Sequence, residues 1–524
     1  MELMTESLYM EEKKGPAVTQ VTFDETYHLP DYLPDFFSVI LREGSVQTDE
    51  SKCGTGQVIV KGTLKFHVLY QTRQGECNIA SLEGEFPYQE TVVLEGCGEF
   101  DMPQTEVVLE DLTIRMMNAR KLNVRALMEI RVQTRERKKL DIPVGIAQNQ
   151  GEEALEMQTQ TENYLELCYR GSERAKIREE VQLPANKPNI HQILWSQIQL
   201  MGMETHVVNG SVTLQGDIQL FLIYQGMEDH TVQWLEQRLP YQSSLSISEA
   251  EHDMIPHILA GKPVFSCKEK EDADGEMRVV LMETDLIMDL WLYRERKTER
   301  LLDAYSLEYQ LNLHEQPVTT YSLCMKNEAK CRVNDTLNIQ DQEHEILQIS
   351  SGTGQAEVEH WEIQGNCVRV DGTVNVQILY LSSSDSMPVG AVEGLLPFQC
   401  EIDVLHMPED PDVELQALVE HLSFLMKTGT ELEVQAVISV EVFVTEMKKT
   451  TFIDAVETEA LDAKWLEQIP GIAGIRIAQE NDLWEIAKKF HTTEADIRKI
   501  NQIEGQTLTA GQKILVVKQG IPQI

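Results

Sequence analysis

The sequence predicts a mainly β, multidomain protein: three tandem homologous β-rich units, sandwich- or barrel-like, followed by a small C-terminal βααβ module. Three observations carry this. Segments 60–70 (VKGTLKFHVLY), 214–224 (LQGDIQLFLIY) and 370–380 (VDGTVNVQILY) align without gaps, with Gly62, Gly216 and Gly372 at the third position and Tyr70, Tyr224 and Tyr380 at the end. Apolar residues alternate strictly within each, as in Leu64, Phe66, Val68 and Tyr70, which is the period of a strand with one buried face. From 475 the pattern changes to apolar spacings of three and four, the period of amphipathic helices.

The repeat has further anchors in order along the chain. A leading segment reads LPDYLPDFF (29–37) and VQLPANKPNI (181–190), placing Pro30 and Pro34 where Pro184 and Pro188 recur; Gln340 and His344 stand there in the third copy. After the glycine strand comes SLEGEFPYQ (81–89), WLEQRLPYQ (234–242) or AVEGLLPFQ (391–399). Pro87, Pro240 and Pro397 inside these runs predict strand starts or edge strands, because proline cannot donate to a central ladder. A last alternating run covers 122–136, 281–295 and 432–446, and puts Val434, Ala436, Ile438, Val440 and Val442 on one face. The second copy carries an acidic insertion at 267–277, where Asp274-Gly275 predicts a type I′ hairpin. The glycine pairs Gly54/Gly56 and Gly352/Gly354 are expected to be turns, since neither continues into a phosphate-binding pattern. The Gln/Glu-rich stretch 145–163 is expected to be a solvated linker, and 447–470 to join the third unit to the C-terminal module. The units are set at 15–145, 160–305 and 314–456, and the module at 471–518. A period of about 155 residues is too long for solenoid repeats, which run roughly 20–50 residues.

In the module, Ile475 and Ile477 predict a short strand, and Asn481 or Asp482 caps a helix over 483–490 (LWEIAKKF). Thr493 and Asp496 form a capping start for a second helix, and Gly511 turns the chain into the closing strand KILVV, 513–517. Trp484, on a short amphipathic helix, is expected to face the core.

Composition narrows the function classes. The 524 residues carry a formal charge of −41, with 42% hydrophobic and only 6% aromatic residues. Such acidity repels phosphate backbones and anionic membranes, so nucleic acid is not an expected partner. The module has seven Lys/Arg against six Asp/Glu, so the excess of acid lies outside it. Nine cysteines, none in a C-x-x-C pair, suit free thiols in a reducing compartment. The amino-terminal MELMTESLYMEEKKGP lacks the basic and apolar regions of an export signal, and no apolar run is long enough for a transmembrane segment. There is no P-loop, H-E-x-x-H or G-x-S-x-G pattern. The run 271–275 has incomplete calcium-ligand spacing and reads as a hairpin tip. No catalytic, cofactor or metal residues are therefore expected, and the protein is not expected to be an enzyme.

The module resembles a LysM domain over 475–518, on Leu483-Trp484-Glu485-Ile486-Ala487, on Asp496-Ile497 and Asn501, and on the run from Leu508 to Ile514. That resemblance implies a groove which in LysM domains binds N-acetylglucosamine polymers. Here Glu480, Asn481, Asp482 and Leu483 would frame one side and Gln506, Thr507 and Leu508 the other. Glu480-Asn481-Asp482 replaces the usual Gly-Asp-Thr/Ser, which puts two carboxylates where glycan binders show one. The repeats resemble the SPOCS domain of endospore coat and envelope proteins, on Leu29, Pro30, Pro34 and Asp35, the glycine strand, the S-x-E-G-x-x-P-Y/F run and Arg120 to Val124. SPOCS repeats followed by one LysM resemble the SipL- and SpoVID-like spore coat morphogenetic proteins. The resemblance implies a scaffold in the mother-cell cytosol at the forespore surface. It also implies docking on the basement-layer ATPase, stage IV sporulation protein A, through the LysM domain, with other coat proteins as further partners. The alternative is a cell-wall protein that uses the groove for peptidoglycan.

Overall fold

The computed structural model describes residues 2–73, 78–99, 101–147, 155–228, 230–338, 346–382, 389–476, 483–503 and 511–519. The first domain comprises β1 (Leu3–His28), β2 (Ser38–Gly54), β3 (Gln57–Gln71), β4 (Ile79–Val93), β5 (Pro103–Asn118) and β6 (Lys121–Ile146). The second comprises β7 (Leu155–Gln182), β8 (Ile190–Val208), β9 (Ser211–Gly226), β10 (Val232–Ser246), β11 (Ile255–Ala260), β12 (Val264–Glu271) and β13 (Met277–Ser306). The third comprises β14 (Tyr309–Asn338), β15 (Ile346–Gln364), β16 (Cys367–Ser382), β17 (Val389–Asp403), β18 (Pro411–Met426) and β19 (Glu431–Ala460).

Each domain is a sandwich of two antiparallel sheets. In the first domain β2-β3-β4 faces β1-β6-β5, and in the third β15-β16-β17 faces β14-β19-β18. In the second, β8-β9-β10 faces a sheet in which β13 pairs with β7 on one side and with β11 and then β12 on the other. The alternating runs are the two central strands of each sandwich. Leu64, Phe66, Val68 and Tyr70 are buried on β3, and Val434, Ala436, Ile438, Val440 and Val442 on β19.

The repeated glycine and the repeated Pro-Tyr/Phe form one device. Gly62 lies opposite Tyr88, Gly216 opposite Tyr241 and Gly372 opposite Phe398. In each pair the ring folds over the glycine, and the neighbouring edge strand bulges so that a carbonyl (Gln47, Gly202 or Glu357) presses on the same spot. A β-carbon there would collide with both, so only glycine fits. Pro87, Pro240 and Pro397 sit on the edge strands β4, β10 and β17, where a missing N–H costs no ladder bond. The leading segments are clamped by arginine: Arg120 donates to Asp35 and to the carbonyls of Leu29, Pro30 and Leu33. Arg278 does the same for Asn189, Pro184 and Lys187. In the third copy, Gln340 and His344 lie outside the described residues.

Four expectations need correction. Gly352 and Gly354 are not a turn but lie inside β15, where Gly352 makes room for the Phe424 ring and Gly354 for Leu422 across the sandwich. The 267–277 insertion closes a hairpin, but not of type I′, because Gly275 alone has positive φ there. Asp272 Oδ1 instead accepts from the Asp274 and Glu276 amides and shapes a longer loop. Residues 155–163 are not a solvated linker but the start of β7, and 447–460 are not a joining segment but the end of β19. In both cases the polar side chains are solvated while the backbone pairs in a ladder, with β13 and β14 respectively. The strands accordingly run past the expected domain limits.

These extensions change the architecture. Beyond each sandwich, the first and last strands continue as a two-stranded arm: 3–13 with 135–146, 155–166 with 294–306, and 309–321 with 447–460. A lone two-stranded ribbon is marginal in water. The three arms pack on one another, burying Ile146, Leu155, Leu301, Ala304, Ile453 and Val456 in one cluster and Leu8, Met10, Ile142, Tyr164 and Phe452 in another. The sandwiches also meet cyclically. β4 touches β8, β10 touches β15 and β17 touches β2, so each domain offers its fourth strand to the second strand of the next and the ring closes. Leu41 and Leu69, Trp195 and Phe221, and Leu379 and Val389 meet in a cluster drawn from all three domains.

Where the arms leave the sandwiches lies a buried ionic junction. Glu11 accepts from Trp291 Nε1 (3.0 Å), the Tyr293 hydroxyl (3.0 Å) and Arg135 Nη1 (3.1 Å). Arg135 also reaches Glu414 of the third domain (3.1 Å), which pairs with His257 Nε2 of the second (2.8 Å) and with Lys13 of the first. Glu441 lies 3.8 Å from His257 Nδ1 and 3.2 Å from Lys326. Burial alone would push the Glu414 carboxyl up, but His257, Lys13 and Arg135 outweigh it and hold it well below the usual carboxylate range. Burial pushes His257 down, and Glu414 and Glu441 reverse this, so the imidazole titrates above its ordinary 6.5.

These contacts set two expected outcomes. Gly216→Val should destabilise the chain by about 3 kcal/mol, since overpacking against a backbone carbonyl has no flexible neighbour to absorb it; denaturant unfolding measures this. A histidine whose folded value is raised contributes stability below pH 6.5 that is lost as pH rises through that folded value. His257→Gln should therefore lower the melting temperature at pH 6 and leave it nearly unchanged at alkaline pH; an equal loss at both would contradict a charged His257.

Candidate docking site

The C-terminal module follows α1 (Ala463–Gln468) and contains β20 (Ile472–Arg476), α2 (Leu483–Phe490), α3 (Glu494–Ile500) and β21 (Lys513–Val517). The two strands pair antiparallel, and both helices pack on β21 and on each other. The expected helix 483–490 and closing strand 513–517 form as read from the sequence. Ile477 and the first-helix caps Asn481 and Asp482 lie outside the described residues.

Local chemistry fixes the ends. Thr493 caps α3: its Oγ1 accepts from the Asp496 amide (3.1 Å) and donates to the Asp496 carboxylate (2.9 Å). Asn501 ends α3 and ties it to β21, accepting from the Leu515 amide and donating to the Leu515 and Ile497 carbonyls, each at 2.7–2.8 Å. His491 and Gln502, both at positive φ, turn the chain out of the helices. Leu483, Trp484, Ala487, Ile497, Ile514 and Val516 are the buried core.

Of the seven residues expected to frame the groove, Glu480, Asn481, Asp482, Gln506, Thr507 and Leu508 lie outside the described residues. Leu483 is described; it is 4% exposed and packs in the core. Trp484 is core as expected, at 6% exposure, but part of that core comes from outside the module. Tyr305 and Leu307, at the end of the second domain's arm, belong to the same cluster. The Tyr305 ring meets Trp484 edge-on at 4.9 Å, and its hydroxyl donates to the Thr492 carbonyl (2.9 Å). Burial, then nearby carboxylates, push the Tyr305 phenol up, which keeps the hydroxyl a donor. Asp303 accepts from Trp484 Nε1 (2.7 Å) and takes both oxygens to Lys488 Nζ (2.7 Å each). From the other side, Lys518 Nζ donates to the Leu466 carbonyl of α1, and Trp465 stands edge-on to His491. The module is thus seated on the β body through one carboxylate, one tyrosine and its own linker.

Sequence reasoning missed this seat. Asp303 and Tyr305 lie in LLDAYSLE (301–308), where nothing in the local pattern distinguishes a docking carboxylate from a solvated one. The junction at His257 was missed for the same reason: its members come from all three domains and share no spacing. One signal did exist. In two of the three copies the glutamate repeated in the S-x-E-G-like run faces the next domain: Glu236 accepts from Ser351 (3.2 Å) and Glu393 from Arg42 (3.3 Å), while Glu83 is exposed. A charge repeated within an otherwise apolar motif marks a seam. Among the described residues, no group of three His, Cys, Asp or Glu could hold a metal ion, and the eight described cysteines are free.

A family model described as "SipL, SPOCS domain" matches residues 37–117, 189–260 and 345–427, and one described as "LysM domain" matches 475–517. Together they cover more than half of the chain. No curated protein and no solved structure matches it. Fold and matches together define a multidomain β-sandwich protein that carries a LysM domain. The chain belongs to the SipL-type SPOCS proteins, a family of sporulation and the spore coat. No helix among the described residues is long and apolar enough to cross a membrane.

Replacing Trp484 by Ala removes a core ring and both of its contacts to the second domain. The loss should be about 3–5 kcal/mol, enough to unfold the module. Thr493→Ala, which loses only a cap, should cost about 1 kcal/mol and leave the module folded. Amide hydrogen exchange of the α2 and α3 segments in the intact chain separates the two.

Proposed function

We propose that the protein is a non-enzymatic assembly adaptor of the spore coat, and that its LysM domain recruits a protein partner at the forespore surface. The partner that the SipL-type architecture implies is the basement-layer ATPase, stage IV sporulation protein A. The observation that carries the reading is the division of labour in the chain. Three sandwiches close into one acidic body with no catalytic constellation among the described residues, and a single near-neutral module is mounted on the end of an arm.

Charge supports the same division. The body would repel an acidic partner, whereas the module would not. The docking residues of the reading are Glu480, Asn481, Asp482 and Leu483 with Gln506, Thr507 and Leu508. Leu508 is the apolar centre and Asn481 and Gln506 are polar rim, since interfaces gain most from a few central apolar anchors. Leu483, being buried, acts by holding the first side in place. Two carboxylates in the first loop disfavour an uncharged sugar polymer, which offers no cation to pair with them. A mother-cell location follows from the partner.

The test is co-purification of the ATPase with the full chain from sporulating cells. Leu508→Glu should reduce recovery at least tenfold while the circular dichroism of the chain is unchanged; recovery at the wild-type level would remove the groove from the reading. Calorimetry with N-acetylglucosamine oligomers should show no binding in the micromolar range. Micromolar affinity would favour the cell-wall alternative instead.

A further inference from the structure

The α2 face of the module is satisfied by groups that do not belong to it. The Trp484 indole N–H has its acceptor in Asp303, the Lys488 ammonium is held by both oxygens of that same carboxylate, and the Tyr305 ring meets the Trp484 ring in an edge-to-face contact. An aromatic ring, an N–H and an ammonium one helical turn apart form a receptor for a carboxylate beside an aromatic side chain. The cation and the N–H converge on the acid, and the ring receives the aromatic edge.

The seat is also built to be left. Asp303 falls at an irregularity in the β7–β13 ladder, between Leu301 and Asp303, close to the end of β13 at Ser306. Its side chain belongs to no sandwich core, while Leu301 and Ala304 on either side stay anchored in the arm cluster. The Asp303–Lys488 pair is only partly buried, with side-chain exposures of 19% and 40%, and an ion pair open to solvent on one side holds weakly. Thr492, whose carbonyl accepts from Tyr305, also carries a buried hydroxyl with no hydrogen-bond partner among the described residues. A ligand that served it would gain what the chain's own segment leaves unmade.

We propose that the α2 face of the LysM domain is a recognition surface for an acidic side chain set next to an aromatic one, occupied at rest by Asp303 and Tyr305 of the same chain, and that a partner segment of that chemistry binds by displacing them. The inference rests on the reading of the module as a protein-docking unit. Its test needs only this chain and a peptide, so its failure is distinct from failure to recruit the coat ATPase.

The experiment uses the full chain, wild type and Asp303→Asn/Tyr305→Phe, two changes that keep side-chain volume. The probe is a fluorescent peptide of residues 299–309, ERLLDAYSLEY, with a control peptide carrying Asn in place of the aspartate. The double variant should bind the peptide at least tenfold more tightly than wild type, and the control peptide at least tenfold more weakly than the native one. Proteolytic cleavage in 461–471 should also be at least tenfold faster in the double variant, because the module is no longer held. Asp303→Lys combined with Lys488→Asp should restore slow cleavage, which shows that charge pairing and not misfolding sets the rate. Equal peptide binding by wild type and variant, no peptide binding by the variant, or unchanged cleavage would each overturn the proposal.

Discussion

The ionic junction at Glu11, Arg135, His257 and Glu414 constrains everything around it. A charge taken out of water costs several kcal/mol unless it is paired, and removing one partner from such a pair typically costs about 3–5 kcal/mol. Here the carboxylates come from the first and third domains, and their donors come from all three. None of the four side chains can be buried correctly until the strands carrying the others are in place. The junction therefore does what apolar contact does less well: it specifies which domain sits beside which. Leu, Ile and Val surfaces at the seams would accept several arrangements, whereas a buried Arg135 accepts only one that brings both Glu11 and Glu414 to its guanidinium.

Much of each sandwich was legible in the sequence, because each of its rules is local. Alternation at Leu64 to Tyr70 declares a half-buried strand, proline at 87, 240 and 397 declares an edge, and both statements hold within one strand and its neighbour. The glycine–aromatic pair was visible only as two separate anchors. Their meeting depends on register, which the sequence expresses through a constant spacing and nothing else. The arms were illegible. Their outward residues are Gln, Glu and Thr, the composition of a solvated linker, and their buried residues, such as Leu155, Ile453 and Val456, face other arms instead of a sandwich of their own. A two-stranded ribbon without a third strand has no reason to form until the other two arms exist, and that condition is not written within any one repeat.

At the module the balance is reversed. Helix caps and apolar spacing defined α2, α3 and β21, since a unit this small is governed by short-range rules. Trp484 could be placed in a core from its position on a short helix, but not that Tyr305 and Leu307 complete that core. The sequence separation between Trp484 and Tyr305 is wide, and LLDAYSLE has the ordinary appearance of a strand end. A sequence pattern reports which residues leave water, and it is silent about whose surface they enter.

The distribution of charge joins these parts. An acidic body of closed sandwiches has spent its edge-to-edge contacts on its own three copies, and its surface field disfavours acidic proteins. A module of near-neutral charge would drift from such a body on its linker unless something held it. Asp303 is suited to that work because it stands at the end of an arm, away from the junction, with Lys488 and the Trp484 N–H as its partners. Were the module fixed by a broad apolar interface, it would be a fourth rigid domain; were it unattached, its approach to a partner would carry the full entropy of a tethered domain. Tyr305, Leu307 and a single partly buried carboxylate place it between these limits, oriented by the arm through a small set of contacts.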